Sequence, residues 1–260
     1  MDLGLDGDTA LVTASSSGLG FASAAALAGE GANVVICGRT PERLDAAAAD
    51  LADAPGDVHA VQTDLTARAD VEALVEATVE EFSGIDHVVT SAGGVPPGAF
   101  EDIEDGEWYG AYDTLVMSVV WTLRAARPYL EDSEKGTVTA ITSTSVQEPI
   151  ENLILSNVVR RGVIGIVKSI AQTWAPDVRA NAVLPGAHET ARIEELIEDS
   201  IERGEYDSYD EGLADWSDGV PMDRIGDPEQ FGRVVAFLAS EPAGFVNGVT
   251  VPIDGGRLRS

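Results

Sequence analysis

The sequence predicts an α/β fold, a single doubly wound parallel sheet with helices on both faces. Three observations lead there. Strand-like and helix-like runs alternate from end to end, with no internal repeat and no low-complexity linker. At 260 residues and 44% apolar composition the chain can bury one sizeable core, so a single domain spanning 1–260 is expected. The first strand-like run, residues 9–13, enters a turn of small residues, Ala14-Ser15-Ser16-Ser17-Gly18-Leu19-Gly20, and then an Ala-rich helix former over 21–29. That is the order of a dinucleotide-binding unit.

In that first turn, Thr13, Ser15, Ser17, Gly18, Leu19 and Gly20 form the candidate diphosphate cradle. Glycine lets the backbone approach the phosphates, and the uncapped amides and positive dipole end of the new helix meet their charge. The second strand, 33–37, runs into Gly38-Arg39-Thr40. An acid at this place accepts the ribose 2'-hydroxyl of NAD, whereas an Arg can pair with a 2'-phosphate. Gly38 with Arg39 beside it therefore points to NADP(H) over NAD(H); the alternative is that Arg39 only begins the helix 41–53 from the solvent side. After the third strand, 58–62, Asp64-Leu65 is placed to edge an adenine ring with a carboxylate and an amide, and Asp64 also suits the N-cap of a helix over 66–82. The fourth strand, 87–90, ends in a second small-residue turn, Ser91-Ala92-Gly93-Gly94. Strands over 137–142, 179–184 and 249–253 and helices over 107–130 and 231–238 complete the alternation.

Charge narrows the partners. There are 45 acidic residues against 16 basic ones, a net charge of −29, and the only lysines are Lys135 and Lys168. Such a surface repels nucleic acid and anionic membranes. The acids sit on helices that keep apolar periodicity, which argues for a folded, solvated face rather than a disordered tail. A lysine-poor acidic surface of this kind resembles those of proteins from a high-salt cytoplasm, where ions screen self-repulsion, so the fold is expected to require salt. The opening residues through Asp8 are acidic and poor in apolar side chains, so neither a signal peptide nor a membrane span is expected. The lone Cys37 excludes an internal disulfide, and no metal site is predicted.

Thr13-Ala14-x-x-x-Gly18-x-Gly20 is similar to the T-G-x-x-x-G-x-G turn of the short-chain dehydrogenase/reductases, and Ser91-Ala92-Gly93-Gly94 to their N-A-G-G. Leu184-Pro185-Gly186 and Val251-Pro252-Ile253-Asp254-Gly255-Gly256 resemble the family's P-G and V-D-G-G signatures. On these residues, in order and at family spacing, the whole chain resembles that family, and 3-oxoacyl-[acyl-carrier-protein] reductases in particular. The resemblance implies that Pro185, Gly186 and Thr190 border the nicotinamide, that 187–226 is a substrate lid, and that helix 231–238 with the last strand contributes to a homotetramer or homodimer contact.

Family members carry a Ser after the fifth strand, Y-x-x-x-K on the next helix, and an Asn on the helix before. Here Ser143 matches the Ser, while Ser156 stands for the Tyr, Arg160 for the Lys and Leu115, or a close neighbour, for the Asn. A Ser hydroxyl is shorter and far less acidic than a phenol, and Arg keeps its proton, so the usual proton transfer has no donor at that position. Ser156 and Arg160 nevertheless share a helix face at i, i+4, where Arg160 can grip the nicotinamide ribose or polarise a substrate oxygen. Tyr112, His188, Glu148 and Glu151 are the substitute acids to consider; the ordinary reading is a packed aromatic, a solvated loop residue and two surface carboxylates. Two functions stay open. One is an NADP(H)-dependent oxidoreductase acting on a small-molecule carbonyl or secondary alcohol, with Ser143, Ser156 and Arg160 at the reacting end. The other is a catalytically silent cofactor-binding sensor or scaffold. Different chemistry on the same scaffold also remains open.

Overall fold

The computed structural model describes residues 2–259. Seven strands, β1 (Thr9–Val12), β2 (Asn33–Gly38), β3 (Val58–Gln62), β4 (His87–Thr90), β5 (Thr137–Ile141), β6 (Arg179–Pro185) and β7 (Thr250–Ile253), form one sheet in the order β3-β2-β1-β4-β5-β6-β7. All six pairings are parallel. The inner strands are short β-branched runs, and Val34, Val35 and Ile36 are all fully buried, as strands must be when helices cover both faces. The winding reverses between β1 and β4, so a crevice opens at their carboxyl ends, next to the small-residue turns that follow both strands.

One face is covered by α1 (Gly18–Gly29), α2 (Pro41–Asp50) and α9 (Pro228–Ala239), whose Leu27, Leu44 and Phe231 pack on Val12 and Ile36. The other is covered by α3 (Arg68–Phe82), α5 (Ser118–Asp132) and α6 (Ile154–Thr173), whose Leu74, Leu123 and Val167 pack on Leu11 and Val138. None of the acids carried by α2, α3, α5 and α9 is buried, which is why their charge does not disturb either core layer.

Three expectations need correction. The helix read as 107–130 is α4 (Asp105–Tyr112), a π-helical segment Asp113–Met117, and α5. The wider π turn shifts the register, and both Leu115 and Val116 enter the core. Helix α3 starts at Arg68 rather than 66 because Asp64 Oδ1 accepts from Thr66 N at 2.9 Å and from Thr66 Oγ1 at 2.7 Å, forming a turn ahead of the helix. Helix α9 starts three residues before its apolar run, where Asp227 accepts from Glu229 N at 2.8 Å and Pro228 sets the first helical φ. Among the described residues no helix is long and apolar enough to cross a membrane, and no group of three His, Cys, Asp or Glu is placed to hold a metal ion.

Candidate active site

The site grows from the turn after β1. Thr13 Oγ1 donates to Ser91 O at 2.6 Å and accepts from Ser91 N at 2.8 Å, which ties the two small-residue turns together across the crevice. Ser15 is fully buried; its hydroxyl donates to Val12 O at 2.6 Å and accepts from Cys37 N at 2.9 Å. Both side chains hold the turn in shape, so of the two residues only backbone faces a ligand. The Cys37 thiol, fully buried, has its pKa pushed up to about 12 by burial and is inert.

The turn fits a diphosphate. Ser17, the N-cap of α1, makes no side-chain bond to the first helical turn, so the amides of Gly18, Leu19 and Gly20 receive no cap from it. Gly18 has φ +61°, and a β-carbon on Gly20 would strike the Ala14 carbonyl oxygen. Ala14 itself sits at φ +47°, where the family has glycine, at a cost of about 1–2 kcal/mol. Thr190 lies over the turn, its Cγ2 3.9 Å from where a Gly18 β-carbon would stand, and its carbonyl starts α7 (Ala191–Glu202) by accepting from Ile193 N. A groove of about 620 Å³ begins at Gly18 and Thr190 and follows the Ala-rich face of α1 as far as Leu3. Ser143 and Arg160 do not line it, so this groove is separate from the place where those two residues sit.

At the end of β2 a β-carbon on Gly38 would come within 2.7 Å of Ser16 Oγ. Ser16 therefore lies against the end of β2, where exposed Arg39 follows, a placement that its sequence position between two other serines did not single out. The Thr66 bonds hold the Asp64 carboxyl below its usual range, and Arg39 adds a smaller pull in the same direction, so these two charges share one corner. The Leu65 side chain packs on the core, leaving its backbone to the crevice. Pro185 and Gly186 follow from β6, with Gly186 N donating to Ile253 O at 3.0 Å.

The reacting end is built by β5, α6 and the turn after β4. Half-buried Ser143 accepts from Ser145 N at 3.1 Å, which leaves its own hydroxyl proton free to donate. Ser156 is buried and lies 3.2 Å from Ser145 Oγ, while Arg160 Nε donates to Ser156 Oγ at 3.2 Å. Arg160 Nη2 reaches Gly93 O at 3.4 Å. Ser156 is thus bonded within the fold and positions Arg160, its neighbour on the same helix face. Ser145, fully buried, is the strut that the sequence reading missed; its signal was its i, i+2 spacing from Ser143. Burial brings the pKa of the Arg160 guanidinium down to about 10, so it remains a cation at neutral pH.

None of the substitute acids hydrogen-bonds Ser143 or Arg160 among the described residues. Tyr112 is 49% exposed rather than packed in the core. His188 is buried, bonds Gly186 O through Nδ1 at 3.1 Å and stands edge-on to Phe231 at 5.3 Å; burial holds its pKa below the usual value, so it is a neutral structural pin and not a solvated residue. Glu148 accepts from Arg259 N at 3.0 Å, and Glu151 is exposed. Leu115 is core. Lys168 Nζ caps Gly248 O, a structural contact. Residues 187–226 carry their own small core, in which Tyr206, Tyr209 and Trp216 pack around Ile193 and Ile197. Those aromatics anchor the segment.

The comparisons agree with this geometry. The family model described as enoyl-(acyl carrier protein) reductase matches residues 13–257. The chain is 28% identical to the 3-oxoacyl-[acyl-carrier-protein] reductase of Thermotoga maritima over 97% of this chain and 98% of that protein. The structure of L-sorbose reductase from Gluconobacter frateurii complexed with NADPH and L-sorbose superposes with a TM-score of 0.95 at 28% identity, covering all of both chains. An NADPH-bound short-chain oxidoreductase from Pseudomonas aeruginosa PAO1, described as containing an atypical catalytic centre, does so with a TM-score of 0.89 at 28% identity over 97% of each chain.

Proposed function

The chain belongs to the short-chain dehydrogenase/reductase superfamily, and from that premise we propose that it is an NADP(H)-dependent oxidoreductase interconverting a small-molecule carbonyl and its secondary alcohol. The observation that carries this reading is the pairing of an uncapped glycine turn with Arg160, a cation without a carboxylate partner, at the other end of the same crevice. A nicotinamide dinucleotide, when bound, supplies or accepts the hydride.

This chain's residues do the rest. The amides of Gly18, Leu19 and Gly20 hold the diphosphate, Arg39 and Ser16 hold the 2'-phosphate, and Asp64 with the backbone of Leu65 borders the adenine. Ser91, Ala92, Gly93, Pro185, Gly186 and Thr190 border the nicotinamide ring and its ribose. Ser143 donates a hydrogen bond to the substrate oxygen, and Arg160 stabilises the negative charge that builds there as hydride arrives. With Ser156 spent on positioning, the proton that completes the alcohol comes from water. Residues 187–226 close over the substrate. The wider reading is a cytoplasmic protein of a high-salt organism, assembled as a homodimer or homotetramer through α9 and β7, whose melting temperature rises between low and molar KCl.

A screen of carbonyls and alcohols with both cofactors at molar salt, following reduced-nicotinamide absorbance, tests the proposal, with Ser143→Ala and Arg160→Ala as controls. Turnover that both variants lose supports it. Tight cofactor binding with no turnover on any compound favours the catalytically silent reading, which draws on the missing proton donor at Ser156.

A further inference from the structure

The chain holds two guanidinium groups that burial desolvates and that make no ion pair among the described residues, and they are used in opposite ways. Arg179 spends four N–H groups on carbonyls: Nη1 donates to Leu238 O at 3.0 Å and Val246 O at 3.2 Å, and Nη2 to Ala239 O at 3.3 Å and Ser240 O at 3.1 Å. Its charge faces the negative end of α9 and four of its five donors are satisfied. Arg160 spends only two, on Ser156 Oγ and Gly93 O. A guanidinium has five N–H donors, so three of them, including both on Nη1, have no partner among the described residues.

Arg160 is half-buried, so its idle donors stand where a ligand can reach them, and an anion placed there gains charge-assisted hydrogen bonds. Among the described residues no carboxylate lies within ion-pair distance of Arg160, so an anion arriving there meets no protein competitor. The cofactor answers only part of that opening, because ribose hydroxyls are neutral and its diphosphate lies at the Gly18 turn. Arg160 is also held in place from behind, by Ser156 and the fully buried Ser145, so its open edge has a fixed direction, as bidentate recognition requires.

Resting on the oxidoreductase reading above, we propose that the substrate bears a carboxylate close to its carbonyl, an oxo acid, and that the open edge of Arg160 is the carboxylate's receptor. Ser156 and Ser145 are positioning residues for that receptor. The arrangement also accounts for Arg in place of the family's Lys, since only the planar fork offers two parallel donors.

The test compares ligands that differ only in charge. Acetoacetate and acetoacetamide, then pyruvate and pyruvamide, are titrated at matched ionic strength into the NADPH-loaded protein by cofactor fluorescence and into the cofactor-free protein by calorimetry. In the loaded protein the carboxylate of at least one pair is expected to bind about tenfold or more tighter than its amide, about 1.4 kcal/mol. Arg160→Ala brings the pair within about twofold, and Arg160→Lys retains part of the preference. Equal binding of acid and amide by the wild-type protein in both pairs overturns the proposal, as does a preference that survives Arg160→Ala. The wild-type comparison requires no variant to fold. Preference for the carboxylate without turnover of any compound leaves this receptor standing and removes the oxidoreductase reading; turnover with no preference does the reverse.

Discussion

The two edges of the sheet are built on opposite principles. At the amino edge, beneath β1, β4, β5 and β6, buried charge is closed on itself. Asp8 Oδ2 lies 3.1 Å from His87 Nε2 and Asp8 Oδ1 2.6 Å from Lys135 Nζ, while His87 Nδ1 lies 2.8 Å from Thr137 Oγ1. Asp86 accepts from Thr9 N at 2.7 Å and from Ser133 Oγ at 2.6 Å, and Arg179 gives four of its five N–H groups to carbonyls. At the carboxyl edge the donors point outward and stop: the first turn of α1, the hydroxyl of Ser143 and three N–H groups of Arg160. A fold that can satisfy its polar groups at one edge and leaves them open at the other has set the open ones aside for ligands.

The largest effect that would separate the edges is on rate. Arg160→Ala is expected to lower kcat/KM by about 10²–10³ while moving the melting temperature by only a degree or two, because it removes a charge aimed at the transition state and at no protein acid. A loss of stability comparable to the loss of rate would show that Arg160 belongs to the scaffold.

The converse prediction concerns Asp8. Burial raises its pKa, but the bonds from His87 and Lys135 more than offset that and hold it below the ordinary carboxylate value. A group depressed in the folded state contributes stability that is present above its unfolded pKa, near 4, and is lost as pH falls through the lower folded value. Asp8→Asn is therefore expected to cost about 2–3 kcal/mol at pH 7 by urea unfolding, with the gap from wild type closing below about pH 4. Hydride transfer should be untouched. A gap that is constant from pH 7 to pH 3 would remove the ionic argument for this edge.

Arg179→Ala is the next in size, about 2 kcal/mol or roughly 4–8 °C in melting temperature, since the carbonyls it leaves at the end of α9 are partly reached by water. Set beside Arg160→Ala, it places the same chemical deletion at opposite edges, with stability lost in one case and rate in the other. Differential scanning calorimetry of the two variants, run beside the turnover assay, checks the contrast.

How much of this was legible in the sequence follows from what each part depends on. The strands and the order of the turns were readable because alternation and small-residue turns are local signals, and all seven strands stand within one residue of where periodicity put them. The break at Asp113–Met117 was not, because a π turn leaves no mark in the apolar spacing, and reading 107–130 as one helix put Tyr112 against the core when it is half-exposed. The alignment of Ser143, Ser156 and Arg160 came from the resemblance to the family, yet whether a hydroxyl faces the crevice or the fold depends on a third residue. Ser145 turned Ser156 inward, and a sequence does not show which of two serines bonds the other. His188 followed the same rule: Gly226 gives it room and Phe231 gives it a partner, both from the next segment of chain.

The smallest effect belongs to the ribose corner, where the open edge reaches solvent. Arg39 is exposed, so its attraction for a 2'-phosphate is screened and worth about tenfold in affinity, near 1.4 kcal/mol. Arg39→Ala is expected to weaken NADP(H) binding by that factor and leave NAD(H) unchanged, measured by calorimetry at fixed salt. Asp64 works against Arg39 here, because its carboxyl, held low by the Thr66 bonds and drawn on by Arg39, competes with the phosphate for the same cation. Asp64→Asn should therefore tighten NADP(H) by a few fold, and the gain should vanish in the Arg39→Ala background. A gain that persisted there would mean that Asp64 repels the phosphate directly and that Arg39 lies outside the site. Loss of NADP(H) and NAD(H) affinity together in Arg39→Ala would mean that it holds the adenine ribose in both and discriminates neither.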